Sequence, residues 1–213
     1  MSGTDRYSRQ VRFEKIGEEG QKLLGEAKVV IVGLGALGSV AADQLVRSGI
    51  GSLRLIDRDI VELSNLQRQT LYDEEDVRQS LPKAVAAQIK LQRINSTVKL
   101  DAVVDDVNST NVEEFVEDAD LVLDAVDNFE TRFLLNDACR KSKTVWIYAA
   151  AVGSYGVVMP VLPDSACLRC VIESLPPPGP LPWPFRCPGW LQLQSLLYFP
   201  GTSIHPFLIS LSS

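Results

Sequence analysis

The feature that most narrows what this chain can fold into is residues 28–39, KVVIVGLGALGS, where a β-branched apolar run ends in Gly and passes directly into helix-forming residues. A short run rich in Val and Ile reads as a buried strand. Gly33, Gly35 and Gly38 then give G-x-G-x-x-G between strand and helix, the context this pattern needs to hold a phosphate. Gly33 permits the tight turn, Gly35 lets backbone approach an anion, and Gly38 lets the helix sit close on the strand. The helix start offers unpaired N–H groups and a partial positive charge. Asp57 ends the next apolar run, SLRLID, about 20 residues on, where a carboxylate accepts from ribose hydroxyls.

The remaining periodicity extends this unit. AADQLVRSG continues the first helix, with Gly49 as its stop. Residues 82–95 form a second helix entered through Pro82, and STNVEEFVED (109–118) a short one with a Ser/Thr cap. NFETRFLLNDACRKSK (128–143) is a third, with cations in its last turn. Between them lie strands at 98–104, 119–127 and 144–152, and a further strand at 154–162. Strands alternating with helices predict an α/β fold, a Rossmann-like, mostly parallel sheet with helices on both faces. Residues 1–175 make up this nucleotide-binding domain. Residues 176–213 change regime: they hold one charged side chain, Arg186, most of the twelve Pro and the sole His, His205. Pro at that density blocks helix and central strand, so the tail is expected to be poorly ordered.

Net charge is −6, with 21 Lys+Arg against 27 Asp+Glu. That argues against a broad nucleic-acid surface. No run is apolar enough to span a membrane. Four Cys in 213 residues are no disulfide framework, and a reducing cytoplasmic setting is expected.

Which nucleotide is bound turns on other residues. A dehydrogenase needs a proton donor and a substrate domain. The sole His sits in the anomalous tail, and no substrate domain is expected from these residues. Instead DRDIVELSNLQRQTLY crowds Asn65, Gln67 and Arg68 into one loop beyond the second strand, on the ligand edge of such sheets. Lys83 opens the next helix, and Asp127 and Asn128 end the fourth strand on the same edge. A polyphosphate calls for cations and for a carboxylate that holds Mg²⁺. Arg68 and Lys83 supply the first, Asp127 the second.

RYSRQ (6–10), GLGALGS (33–39), LIDRDIVELSNLQRQ (55–69), Pro82-Lys83, DAVDN (124–128) and CLRC (167–170) together resemble the MoeB/ThiF/HesA family of adenylating enzymes, which are related to ubiquitin-activating enzymes. The resemblance covers residues 5–175 and is closest to the MoeB-like branch. It implies that Gly33, Gly35, Ala36 and Gly38 line the phosphates and adenosine of ATP. Asp57 and Asp59 would bind ribose. Ser64, Asn65, Leu66, Gln67, Arg68 and Lys83 would surround the phosphates, and Asp127 would hold Mg²⁺ with Asn128 beside it. Arg9 resembles the family's arginine finger, which reaches into the partner subunit's site and so implies a homodimer. The implied reaction is ATP-dependent adenylation of the carboxyl-terminal Gly of a ubiquitin-like sulfur-carrier protein ending in Gly-Gly. The resemblance also makes Cys167 and Cys170 half of a four-thiolate Zn²⁺ site whose second C-x-x-C is missing. From about residue 180 the chain departs from the family, as a truncated or frame-altered tail would. Two other readings stand beside this one: an NAD-dependent oxidoreductase on the same sheet, and a non-catalytic or defective truncated product.

Overall fold

The computed structural model of the chain describes residues 6–152 and 155–172. The expectations for the Pro-rich tail lie outside those residues. Two helices, α1 (Ser8–Val11) and α2 (Gly17–Glu26), precede β1 (Lys28–Val32). The first helix of the glycine unit, α3 (Ala36–Ser48), begins inside the glycine motif and ends at Gly49. Next come β2 (Ser52–Ile56), a 3₁₀ turn at Leu63–Asn65, α4 (Glu74–Arg78), α5 (Lys83–Ile94) and β3 (Lys99–Val103). The chain continues through α6 (Val112–Val116), β4 (Leu121–Asp124), α7 (Phe129–Ser142), β5 (Val145–Val152), β6 (Tyr155–Val161) and α8 (Leu168–Val171).

The six strands form one sheet in the order β3-β2-β1-β4-β5-β6. The first five are parallel to their neighbours, and β6 runs antiparallel to β5. The chain reverses its crossover direction between β1 and β4, the switch point where sheets of this kind open a ligand crevice. Register aligns the exits: Val32 lies opposite both Ile56 and Asp124, and Asp124 opposite Tyr148. The loops leaving β1, β2 and β4 therefore emerge side by side.

Alternation along each strand splits the core in two. Val29, Ile31, Leu53, Leu55, Leu121 and Leu123 pack with Leu24 of α2, Leu45 of α3 and Leu91 of α5. Val30, Val32, Ile56, Val122 and Trp146 pack with Phe115 of α6 and with Phe133 and Leu135 of α7. The central strands β1 and β4 are thus buried on both faces, and for that reason they read as unbroken apolar runs, whereas the edge strands β3 and β6 keep exposed positions.

Three boundaries differ from the sequence expectation. The fourth strand stops at Asp124, so Asp127 and Asn128 sit on a loop beyond it. The expected Ser/Thr cap of α6 is replaced by Asn111, without a side-chain cap bond, and the helix is a single five-residue segment. The stretch before β1, to which sequence reasoning assigned no element, contains α1 and α2. Tyr7 anchors that stretch: its hydroxyl accepts from Asn95 Nδ2 at 2.8 Å, and its ring lies against Gly49.

Candidate functional site

The glycine turn is built by close backbone contacts. Gly33 takes φ +88°, a conformation that side chains disfavour, and a Cβ there would stand 2.7 Å from the Ala125 carbonyl oxygen. A Cβ on Gly38 would lie 1.8 Å from the Gly33 carbonyl oxygen, so α3 rests directly on the turn. Gly35 differs: the nearest atom to an added Cβ is Gln69 Nε2, at 3.7 Å. The first intrahelical bond of α3 runs from Ser39 N–H to Gly35 C=O at 3.1 Å, and no side chain caps the helix. The N–H groups of its first turn face the space above Gly35.

Asp57, just past β2, is a structural brace. Its Oδ2 accepts the Leu34 N–H at 2.7 Å and its Oδ1 the Asp59 N–H at 2.8 Å, tying two loops together. Burial pushes the Asp57 carboxyl above the usual carboxylate range, against the opposing pull of Lys83 and the two N–H bonds. Lys83 is delivered by a second brace. Val61 N–H bonds to Leu81 C=O and Lys83 N–H to Asp59 C=O, pinning the loop after β2 to the start of α5. Lys83 Nζ then lies 2.8 Å from Asp59 Oδ2, with the side chain almost wholly buried. Tyr72 closes the floor, its hydroxyl donating to Leu34 C=O at 2.9 Å.

These loops surround an open cleft of about 610 Å³, in the range of small-molecule sites. Gly33, Gly35, Ala36, Asp57 and Asp59 line it on one side. Asn65, Gln67, Arg68, Lys83, Asp127 and Asn128 also reach it. Sequence reasoning therefore brought most of its candidates to one place. Within the cleft their duties differ. Asn65 Oδ1 accepts the Glu62 N–H and shapes the 3₁₀ turn. Asn128 caps α7, its Oδ1 accepting the Thr131 N–H at 2.9 Å. Arg68 Nη1 donates to Ser64 C=O at 3.0 Å, and neither Arg68 nor Asp127 makes an ion pair among the described residues.

Other candidates lie elsewhere. Gly38 sits under the turn, Leu66 packs against the apolar core, and Ser64 is exposed beside the cleft. Arg9 is exposed on α1, between Tyr7, which is held at Gly49 and Asn95, and Gln10, which is held at Ser48 C=O. Those anchors are at the amino-terminal ends of the strands, so this copy of the chain does not bring Arg9 to its own cleft. Cys167 Sγ and Cys170 Sγ stand 3.7 Å apart, spacing suited to a shared metal. Among the described residues no further ligand joins them, so they fall short of a closed Zn²⁺ site. Mg²⁺ fits better, because it takes one or two carboxylates and completes its shell with phosphate oxygens and water. Asp127 offers an exposed carboxylate at the cleft, whereas Asp57 is spent on backbone N–H groups and Asp59 on Lys83.

Sequence reasoning missed several residues of the cleft wall, among them three polar ones. Gln69 is buried beside Gly35, with Oε1 unpartnered among the described residues. Arg132, buried in α7, stacks its guanidinium 4.7 Å from the Tyr148 ring centroid and 5.4 Å from that of Phe129. Arg58, paired with Asp106 at 2.7 Å, forms the far end. A signal for Arg132 existed: it shares a helical stripe with Leu135, Asn136 and Cys139, all buried, where a charge is out of place.

Comparison with known proteins settles the lineage of this cleft. Residues 7–183 match the ThiF family. The chain belongs to the ThiF family. This ThiF-family chain is 51% identical over 174 residues to the sulfur carrier protein ThiS adenylyltransferase of Bacillus subtilis, covering 81% of the chain and 52% of that protein. It is 40% identical over 168 residues to the Escherichia coli ThiS adenylyltransferase, covering 78% and 66%. It thus spans about half the length of the Bacillus relative. Among solved structures, E. coli MccB with AMPCPP and MccA superposes with a TM-score of 0.72 at 29% identity, covering 81% of this chain and 53% of that one. The E. coli tRNA N6-threonylcarbamoyladenosine dehydratase TcdA in complex with ATP gives 0.67 at 30% identity, covering 71% and 61%.

Proposed function

We propose that the ThiF-family chain performs ATP-dependent adenylation of the carboxyl-terminal Gly of a ubiquitin-like sulfur carrier. The observation that carries this reading is the convergence of the uncapped α3 start, Arg68, Lys83 and Asp127 on one cleft. A dinucleotide cradle needs the first of these; only a triphosphate gives a use to all four.

In this reading the carrier supplies the nucleophile. Its terminal carboxylate oxygen bonds to the α-phosphorus, the bond from that phosphorus to the bridging oxygen breaks, and pyrophosphate leaves with the electron pair. No side chain of this protein need become covalently attached. The α3 N–H groups face the phosphates, and Lys83 and Arg68 meet the charge that grows on the leaving pyrophosphate. Such groups accelerate the step because they are already in place, Lys83 through Asp59 and Arg68 through the Ser64 carbonyl. Asp127 would hold Mg²⁺, which supplies charge neutralisation across the phosphate oxygens when bound. Asp57, braced between two loops, presents its remaining lone pairs to ribose. Arg9 from a second copy would complete the site, which makes the working form a homodimer in the cytoplasm.

The test is ATP–pyrophosphate exchange by the purified chain. Exchange that needs both Mg²⁺ and a carrier ending in Gly-Gly supports the reading. NADH binding without exchange would replace it with an oxidoreductase. ATP binding with no exchange would leave a nucleotide-binding module without turnover.

A further inference from the structure

Asp124 and Arg132 are the most deeply buried charged pair described, at 0% and 5% exposure, and the reaction scheme above gives them nothing to do. Their contacts converge on a single residue. Asp124 Oδ1 accepts the Val126 N–H at 3.1 Å, while Arg132 Nη2 donates to the Val126 C=O. The same Nη2 reaches the Ala149 C=O of β5 at 3.3 Å. The two charges meet only loosely, Nε to Oδ2 at 3.7 Å, and neither of those atoms has a hydrogen-bond partner among the described residues. Aromatic rings of Phe129 and Tyr148 fix the guanidinium plane.

Val126 is the residue immediately before Asp127. Its neighbour Ala125 donates to Val32 C=O at 2.9 Å and packs its carbonyl under Gly33, where no side chain fits. The loop carrying Asp127 is therefore clamped on one side to the strand that feeds the glycine turn and on the other to β5. Apolar side chains would fill this space without the desolvation cost of two buried charges. A planar cation has a different use, since it can grip carbonyls on two separate segments from one fixed point.

We propose that Arg132 and Asp124 are positioning residues, which hold Val126 by its N–H and C=O and thereby set Asp127 against the phosphate cradle. This rests on the adenylation reading, and the test separates the two. Arg132→Lys keeps a positive charge beside Asp124 but loses the fork and the stacking. Asp124→Asn keeps an acceptor for Val126 N–H but loses the charge. In ATP–pyrophosphate exchange by the full chain, Arg132→Lys should lower kcat about tenfold or more and leave KM for ATP within about twofold, because a displaced metal ligand harms the step rather than nucleotide binding. The Mg²⁺ concentration for half-maximal rate should rise several-fold. In ligand-free protein, amide hydrogen exchange at residues 125–128 should speed up about tenfold while β1 and the interior of α7 stay protected.

A merely structural pair would lower the melting temperature and leave kcat, the Mg²⁺ requirement and local protection at wild-type values; that result overturns the proposal. If Arg132→Lys does not fold, Asp124→Asn is read by the same three measurements. Wild-type protein without exchange overturns the adenylation reading and the catalytic meaning of the clamp with it. Exchange-competent wild type with an unaffected variant overturns the clamp alone.

Discussion

Replacing Gly35 by Ala separates the fold from the site. Gly33 and Gly38 are required by backbone contacts, but at Gly35 φ is −73° and the nearest atom to a new Cβ is 3.7 Å away. The methyl therefore fits the folded chain. Ala is a poorer residue than Gly before a helix, and it also reduces the freedom of the unfolded chain; these effects are each below about 1 kcal/mol and opposite in sign. The melting temperature should move by no more than about 2–4 °C. The space the methyl takes is the space above the α3 N–H groups. If a phosphate sits there, its charge-assisted hydrogen bonds are displaced, at about 1.5–3 kcal/mol. Affinity for Mg-ATP should fall by about one to two decades. Titration calorimetry with parallel thermal unfolding reads both. Wild-type affinity in a normally folded Gly35→Ala protein would refute the cradle, and a collapse in melting temperature would refute the geometry of the turn.

Other substitutions give distinct signatures. Gly38→Ala forces a methyl against the Gly33 carbonyl and should cost about 3 kcal/mol, roughly 6–12 °C by thermal unfolding; a normal melting temperature would contradict the packing. Lys83→Met keeps the buried stem and leaves a half-exposed Asp59 in water, so stability should change by less than about 1 kcal/mol while Mg-ATP affinity drops at least about tenfold; unaltered affinity would remove Lys83 from the site. Burial, incompletely offset by Arg132, raises the Asp124 carboxyl to about 7. The folded chain then keeps a proton that the unfolded chain releases near pH 4, so the stability due to protonated Asp124 is full below about pH 4 and is lost as pH rises towards 7. Wild type should accordingly lose stability relative to Asp124→Asn across that window, and a relative gain with pH would reverse the assignment.

The legible parts of the chain were those where one signal acts alone. β1 and β5 lie between helix layers, so their burial is written as runs of Val, Ile and Ala, and β2 shows its buried face as alternating Leu. The glycine turn was legible because its constraint is local. α2 was not: its buried side is carried by Gly20 and Leu24 alone among charged neighbours, an apolar stripe too sparse to stand out in the sequence. The antiparallel direction of β6 is set by pairing with β5 and leaves no mark in either strand taken singly. In the site, Arg68, Lys83 and Asp127 were found from their places on the ligand edge of the sheet, whereas Arg58 was not singled out. Asp124 and Arg132 were not, because each looks like a stray charge in an apolar element until the fold sets Val126 between them.

The measurement that bears most directly on the central claim is a crystal structure of the chain with a non-hydrolysable ATP analogue and Mg²⁺. The account predicts phosphate oxygens within hydrogen-bond distance of the α3 N–H groups, Arg68 and Lys83, with Asp127 on the metal. A nucleotide bound outside the cleft, or one whose phosphates leave those three side chains untouched, would contradict it.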